Sequence, residues 1–269
     1  MRAALAAPDR LFDGYALDLD GTVYLGDAAL PGAVEAIRRL RELNCGVVFV
    51  TNKPLETAAD YAAKLSRLGV PAEPADVVTA LDALVRYLDR RHRGARLLLV
   101  AEPLVREVLA REGFPITTEP AAAEVVVVSF DRTFDYAKLL AAYRAVEAGA
   151  VIVATNPDRY CPTADGGLPD CAAMLAAVEA CTGTHAEAIV GKPSAHMAAA
   201  VLDRLAVSTK DCAMVGDRLA TDVLLGRSLG MAAVLTLSGE ATAAPGPDAP
   251  IRPDYVVADL LELIPRSTS

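Results

Sequence analysis

The chain has 269 residues, a length that suits one core domain carrying a large insertion. It contains 26 basic and 35 acidic residues, a net charge of -9, and 53% of its residues are hydrophobic. A nucleic-acid-binding surface needs a basic stripe, so this charge balance argues against a nucleic-acid partner.

Short apolar runs alternate with stretches of helical periodicity along nearly the whole chain. Apolar runs rich in valine, leucine and isoleucine predict buried strands at 15–19, 47–50, 97–100, 125–128, 151–154, 213–215, 233–237 and 255–257. Apolar residues at helical spacing predict helices at 32–43, 57–68, 79–91, 104–111, 136–148, 171–181, 195–205 and 221–229. This alternation indicates an α/β fold, a doubly wound parallel sheet.

Cellular location is predicted from two features of the sequence. The five cysteines are scattered without a CxxC pair, which favours reduced thiols in a cytoplasm over a disulfide framework or a zinc site. No stretch reaches 18 consecutive apolar residues, and the apolar stretch before Pro8 is shorter than a signal peptide requires. We therefore expect a cytoplasmic protein with no membrane partner.

Polar residues lie at or just after four strand ends, which are those of the predicted strands at 15–19, 47–50 and 213–215 and that of a short apolar run at 189–190. In an open parallel sheet, ligands bind beyond the carboxyl ends of the strands, so these residues are candidates for one site. They comprise Asp18, Asp20, Gly21, Thr51, Asn52, Lys53, Lys192, Asp217 and Asp222.

The first of these segments favours a metal site. Asp18 and Asp20 are two apart on a strand and so point to the same face, while Gly21 permits close approach of the backbone to a ligand. Asp217 follows another apolar run and would complete an oxygen-rich cation site. The sequence predicts Mg²⁺ bound by Asp18, Asp20 and Asp217.

These residues also suggest a reaction. Asp18 would attack phosphorus as a nucleophile, and Asp20 would protonate the leaving oxygen and later activate water. Thr51 and Lys192, with backbone amides near Gly21 and Asn52, would stabilise charge on the phosphoryl oxygens. The expected function is a Mg²⁺-dependent phosphatase acting on small phosphate monoesters.

Four motifs occur in the order found in a known superfamily. They are DLDGT at 18–22, TN at 51–52, GKPS at 191–194 and VGDRLATD at 215–222. They resemble the motifs of the haloacid dehalogenase superfamily, and their spacing resembles its class IIA branch of nitrophenyl phosphatase-like and related enzymes. The resemblance extends over nearly the whole chain.

The resemblance implies a domain organisation and further residue roles. A Rossmann-like core would comprise 1–76 and 188–269, and an α/β cap would be inserted at 77–187. Asp222 would orient waters or Lys192 from outside the metal ligands, and Thr51 and Asn52 would bind phosphate. Related proteins form cap-to-cap dimers, so a homodimer through the cap is an expectation.

For several residues the sequence allows either a contact with the substrate or a contact within the protein. Lys53 stands where many class IIA relatives have asparagine, and it would contact an anionic substrate or pair with an acid. In the cap, Arg132, Asn156 and Asp158 lie where substrate contacts could form, although Arg132 and Asp158 could equally form an ion pair.

Two other functions compete with the phosphatase. A phospho-accepting receiver module would be about one short domain long and would lack the second aspartate that Asp20 supplies. A phosphomutase would keep the fold and return the phosphate to its substrate. The sequence leaves the physiological substrate open among sugar, polyol and other metabolite phosphates.

Overall fold

A computed structural model describes residues 6–163 and 166–265 of the chain. These residues form two compact units. The first unit contains residues 6–51, Ala58–Val78 and 197–265, and the second contains Asn52–Thr57 with residues 79–163 and 166–196. The second unit thus includes residues 52–57 and 188–196, which the sequence analysis assigned to the core. The predicted division into core and cap stays a prediction.

The described residues include strands and helices in alternation. The strands are β1 (Gly14–Asp18), β2 (Tyr24–Leu25), β3 (Ala28–Ala29), β4 (Gly46–Thr51), β5 (Val77–Thr79), β6 (Leu97–Val100), β7 (Val125–Val128), β8 (Val151–Ala154), β9 (Tyr160–Thr163), β10 (Gly166–Pro169), β11 (Ala188–Ile189), β12 (Cys212–Gly216), β13 (Ala232–Thr236) and β14 (Tyr255–Val257). The α-helices are α1 (Ala33–Glu42), α2 (Ala58–Arg67), α3 (Ala80–Arg91), α4 (Pro103–Arg111), α5 (Tyr136–Glu147), α6 (Cys171–Thr182), α7 (Ala195–Leu205) and α8 (Leu224–Leu229).

The first unit is built on a six-stranded sheet with the order β14-β13-β12-β1-β4-β5. β1 pairs in parallel with both β4 and β12, and β13 pairs in parallel with β12 and β14. The chain runs outward from β1 through β4 to β5, and later builds the other half of the sheet from β12 to β14. The order therefore reverses at β1, and ligands bind at the carboxyl edge of such a reversal point.

Apolar side chains from both sheet and helices form the core of the first unit. α1 is amphipathic and buries Ala33, Ala36, Ile37 and Leu40. They join a cluster that includes Tyr15, which is fully buried in β1. Burial on this scale holds β1 rigidly at the centre of the sheet.

The second unit has its own four-stranded sheet with the order β11-β8-β7-β6, in which all neighbouring pairs are parallel. α5 and α6 contribute to an apolar cluster with this sheet, separate from the core of the first unit. α3 begins with a capping box in which Thr79 and Asp82 each accept a hydrogen bond from the other's backbone N–H. The expected α/β architecture with parallel sheets is confirmed.

The structure corrects several predicted boundaries. Leu19 and Leu237 are the last residues of two predicted strands, but they fall just outside the observed strands β1 and β13. Residues 219–223, which overlap the start of the predicted helix at 221–229, form a π-helical turn that precedes α8. Five short strands, β2, β3, β5, β9 and β10, were not predicted, because none of them contains more than two consecutive apolar residues. Among residues 6–163 and 166–265, no helix has the length and apolar character needed to cross a membrane.

Candidate active site

Three aspartates come together at the carboxyl edge of the six-stranded sheet. Asp18 is the last residue of β1, and Asp217 follows directly after β12. Because Leu17 pairs with Val215 across these parallel strands, both carboxylates leave the sheet at the same edge. One ligand oxygen from each of Asp18, Asp217 and Asp222 lies within 4.8 Å of the other two, and all three residues are buried. We call these three residues the acidic group.

Asp222 reaches this position through the π-helical turn after β12. Its backbone N–H donates to the carbonyl of Arg218 at 3.1 Å, and its Oδ2 accepts from the backbone N–H of Arg218 at 3.2 Å. The turn therefore folds the Asp222 carboxylate back against the end of the strand, where it is fully buried. Gly216 makes room for it, because a Cβ at Gly216 would overlap the Asp222 carboxylate.

Asp217 is held by the loop that follows β13. Its Oδ2 accepts from the backbone N–H of Glu240 at 2.6 Å, and its carbonyl accepts from Ala241 at 3.1 Å. A Cβ at Gly21 or at Gly239 would overlap the Asp217 carboxylate, so both positions require glycine. Gly21 also has φ of +82°, a left-handed conformation that disfavours other residues.

Asp20 and Thr51 lie near the same edge of the sheet. Asp20 is half-buried, and its backbone forms an isolated β-bridge with that of Tyr24 in the turn after β1. Thr51 ends β4 and is buried, one residue beyond Val50, the partner of Asp18. Among the described residues, the acidic group contains Asp222 rather than the carboxylate of Asp20. The role of Asp20 toward a metal stays a prediction.

The acidic group fits a hard divalent cation. Three buried carboxylates this close together repel one another unless protons or a cation offset their charge. Mg²⁺ prefers oxygen ligands and commonly uses one or two carboxylates with waters and a phosphate oxygen. A site in which Asp18 and Asp217 bind the cation and Asp222 lies beside them is of this type.

A second set of predicted site residues is connected within the second unit. The side-chain amide of Asn52 bonds both to Asp158 and to the main chain of Lys192, and Asn156 donates to the carbonyl of Asn52. We call these four residues the Asn52 network. Asn52, Asn156 and Lys192 are buried, and Asp158 is half-buried.

Asp170 lies beside this network and was not predicted as a site residue. It precedes α6, and its carboxylate accepts from the backbone N–H of Cys171 at 2.6 Å. Burial raises the pKa of Asp170 to about 6, and the negative charge of Asp158 adds to this, while Asn156 and the positive charge of Lys53 oppose it. An aspartate just before a helical pattern is a capping signal, which was the only sign of it in the sequence.

Arg132 pairs with a residue that the sequence did not single out. Its guanidinium binds the carboxylate of Glu102 at 2.9 and 3.1 Å, and its backbone N–H donates to the same carboxylate. These hydrogen bonds hold the pKa of Glu102 below its usual value. Arg132 therefore forms an ion pair with Glu102 rather than with Asp158, the partner that the sequence suggested. A substrate role of Arg132 stays a prediction.

Comparisons with known proteins agree with the fold and the motifs. Residues 15–115 match the family model of haloacid dehalogenase-like hydrolases, and residues 189–263 match a second hydrolase-like model of the same kind. The chain is 32% identical to the sugar-phosphatase AraL of Bacillus subtilis, over 93% of this chain and 91% of that protein. It is 34% identical to a glycerol-3-phosphate phosphatase of Gallus gallus, over 98% of this chain and 93% of that protein.

A solved structure gives the same result. The crystal structure of a 4-nitrophenylphosphatase from Thermotoga maritima superposes with a TM-score of 0.86 at 36% identity, covering 94% of this chain and 96% of that chain. Sequence motifs, fold and relatives thus agree across nearly the entire length. The chain belongs to the haloacid dehalogenase-like hydrolases and is a phosphoric monoester hydrolase of that family.

Proposed function

We propose that this enzyme hydrolyses small phosphate monoesters, with Mg²⁺ as cofactor, through a phospho-aspartyl intermediate on Asp18. The observation that carries the proposal is the buried acidic group at the carboxyl edge of the sheet, where β1 delivers Asp18 beside Asp217 and Asp222. The names of the matched proteins support sugar or polyol phosphates as the substrate class.

Asp18, Asp20 and Asp217 would hold the cation, and the ligand atom of Asp20 would be its backbone carbonyl oxygen. When bound, Mg²⁺ would supply the positive charge that offsets repulsion between an aspartate and a phosphate dianion. The glycines at 21 and 239 leave room for the Asp217 carboxylate, which the backbone N–H of Glu240 holds in place.

The chain's own residues would carry the reaction in two steps. Asp18 attacks phosphorus and forms an acyl phosphate while the bond to the leaving oxygen breaks, and Asp20 gives its proton to that oxygen. Asp20 then accepts a proton from water as the water attacks the acyl phosphate, which releases phosphate and restores Asp18. Thr51 and Lys192 would stabilise charge on the phosphoryl oxygens during both steps.

Hydrolysis is favoured over the alternatives. The family members matched over most of this chain are named phosphatases, which supports transfer of phosphate to water rather than back to a substrate. The length of the chain and the large second unit argue against a short receiver module. A cytoplasmic location and a homodimer through the second unit stay proposals.

The direct test is phosphate release from p-nitrophenyl phosphate and a panel of sugar and polyol phosphates, with Mg²⁺ and with EDTA. We expect Asp18→Asn to lose at least about a thousandfold in turnover, as removal of a nucleophile does. Asp13→Asn is the matched control, because Asp13 is exposed just before the same strand. Full turnover by Asp18→Asn, or no release from any substrate by the unmodified enzyme, would overturn the proposal.

A further inference from the structure

The side-chain amide of Asn52 has no hydrogen left for a substrate. Its Nδ2 donates to Asp158 Oδ2 at 3.0 Å and to the carbonyl of Lys192 at 3.1 Å. An amide nitrogen carries only two hydrogens, so both are used within the protein. An ionised phosphate oxygen only accepts hydrogen bonds, so it cannot donate to the oxygen of the amide. The side chain of Asn52 therefore has no free donor for a phosphate, so the predicted phosphate binding by Asn52 could use only its backbone N–H.

The same amide binds both main-chain groups of one residue. Asn52 Oδ1 accepts from the backbone N–H of Lys192 at 2.7 Å, while Nδ2 donates to the Lys192 carbonyl. A single side chain thereby fixes the backbone on both sides of the Lys192 Cα. Lys192 is only 2% exposed, so its backbone groups depend on such partners in place of water.

Neighbouring residues fix the orientation of Asn52. Asn156 Nδ2 donates to the Asn52 carbonyl at 3.1 Å, and Asn156 Oδ1 accepts from the backbone N–H of Asp158 at 2.9 Å. The carboxylate of Asp158 can only accept when ionised, so it selects the orientation in which Asn52 Nδ2 faces it. That orientation leaves Oδ1 facing the N–H of Lys192.

The backbone beside Lys192 packs closely against this network. The N–H of Gly191 donates to the carbonyl of Thr155 at 2.7 Å. A Cβ at Gly191 would lie 2.5 Å from that carbonyl oxygen and 2.7 Å from Asn52 Oδ1. Glycine at this position lets the turn that carries Lys192 approach Asn52.

We propose that Asn52 is a positioning residue that fixes the main chain of Lys192, with Asp158 and Asn156 holding Asn52 in place. This inference rests on the proposed function, because fixing Lys192 matters for catalysis only if Lys192 stabilises charge on the phosphoryl oxygens. It changes the roles of Asn52, Asn156 and Asp158 from substrate contacts to parts of an internal framework.

Exchanging the hydrogen-bond donor and acceptor between positions 52 and 158 tests the bond between Asn52 and Asp158. Asn52→Asp keeps the shape but sets a carboxylate against both Asp158 and the Lys192 carbonyl. We expect kcat to fall by about ten- to a hundredfold, as small displacements of a positioned group do. The double variant Asn52→Asp/Asp158→Asn restores a donor between the two side chains and should recover part of that loss. Asp135→Asn is the matched control, because Asp135 is exposed and asparagine also caps a helix well.

A second set of variants links the effect to Lys192. If Asn52 acts through Lys192, adding Asn52→Asp to Lys192→Ala should change kcat by less than about threefold, since coupled residues are not additive. If the losses in kcat from Asn52→Asp and Lys192→Ala multiply in the double variant, Asn52 does not act through Lys192 and the inference is overturned. A large rise in KM for Asn52→Asp that Asp158→Asn does not reverse would show a direct substrate contact and would also overturn it. Full activity of Lys192→Ala would instead reject the proposed role of Lys192.

Hydrogen exchange gives a readout that does not depend on activity. Peptides covering residues 189–195 should exchange faster in Asn52→Ala and in Asp158→Ala than in the unmodified enzyme, while peptides from β6 and β7 stay protected. Unchanged exchange in these peptides would overturn the inference even if no substrate were found. Protection of β6 and β7 also shows whether each variant has folded.

Discussion

Asp170 shows how a buried charge makes stability depend on pH. Only 3% of its surface is exposed, and burial raises its pKa from 3.8 to about 6. The folded chain therefore holds this proton more tightly than the unfolded chain does. The contribution of Asp170 to stability is fully present below pH 3.8 and is lost as the pH rises to about 6.

We expect Asp170→Asn to remove this part of the pH dependence, because asparagine keeps the cap of α6 without a titrating group. Between about pH 4 and about pH 7, the free energy of unfolding of the unmodified enzyme should fall by up to about 3 kcal/mol relative to the variant. Urea unfolding across this range measures the difference. Parallel curves for the two proteins would show that Asp170 ionises normally in the fold.

At the scale of single residues, the sequence indicated which side chains matter better than what they contact. Asp18 and Asp217 could be placed at one edge because each ends an apolar run. The hydrogen-bond partners of Asn52 could not be predicted, because Asp158 and Lys192 lie 106 and 140 residues away in the chain. Only tertiary structure shows that the hydrogens of this amide are already used.

Among the elements, the turn after β12 packs tightly against Gly216, the last residue of that strand. Gly216 has no positive φ, so alanine suits its backbone, but a Cβ would overlap the Asp222 carboxylate. Relief of that overlap must move Asp222 or the turn that carries it. The acidic group therefore depends on the absence of a side chain at Gly216.

We expect Gly216→Ala to lower the free energy of unfolding by about 1–3 kcal/mol, as overpacking does. Saturating Mg²⁺ at a hundred times its dissociation constant would stabilise the unmodified enzyme by about 2.7 kcal/mol. The variant should gain clearly less. Thermal unfolding with and without Mg²⁺ measures both effects.

Gly246→Ala is the matched control for this variant, because a Cβ there meets no atom within 4 Å and the residue is exposed. It should keep both the stability and the response to Mg²⁺. Equal Mg²⁺ responses in Gly216→Ala and the unmodified enzyme would show that the metal does not use the acidic group.

Elements with enough residues to show a pattern were predictable. The run at 47–50 lies inside the observed strand Gly46–Thr51, and the predicted helix at 32–43 contains Ala33–Glu42. The π-helical turn Leu219–Val223 was not predictable from the sequence, because its shape depends on hydrogen bonds between Arg218 and Asp222 rather than on periodicity. That turn is what brings Asp222 into the acidic group.

For the whole molecule, a net charge of -9 and a phosphorylated substrate are compatible. Long-range repulsion between them is screened over about 10 Å at moderate ionic strength. A bound cation sets the local field near the acidic group, so the overall charge does not decide what the enzyme binds.

Trapping the covalent intermediate tests the central claim most directly. The Asp20→Asn variant should form the acyl phosphate from p-nitrophenyl phosphate, because nitrophenolate leaves without needing a proton. It should hydrolyse the acyl phosphate slowly, because it cannot accept a proton from water. Mixing this variant with substrate and Mg²⁺, quenching in acid and mapping peptides by mass spectrometry should place one phosphoryl group on Asp18. A phosphoryl group on any other residue, or undiminished phosphate release by Asp18→Asn, would contradict this mechanism.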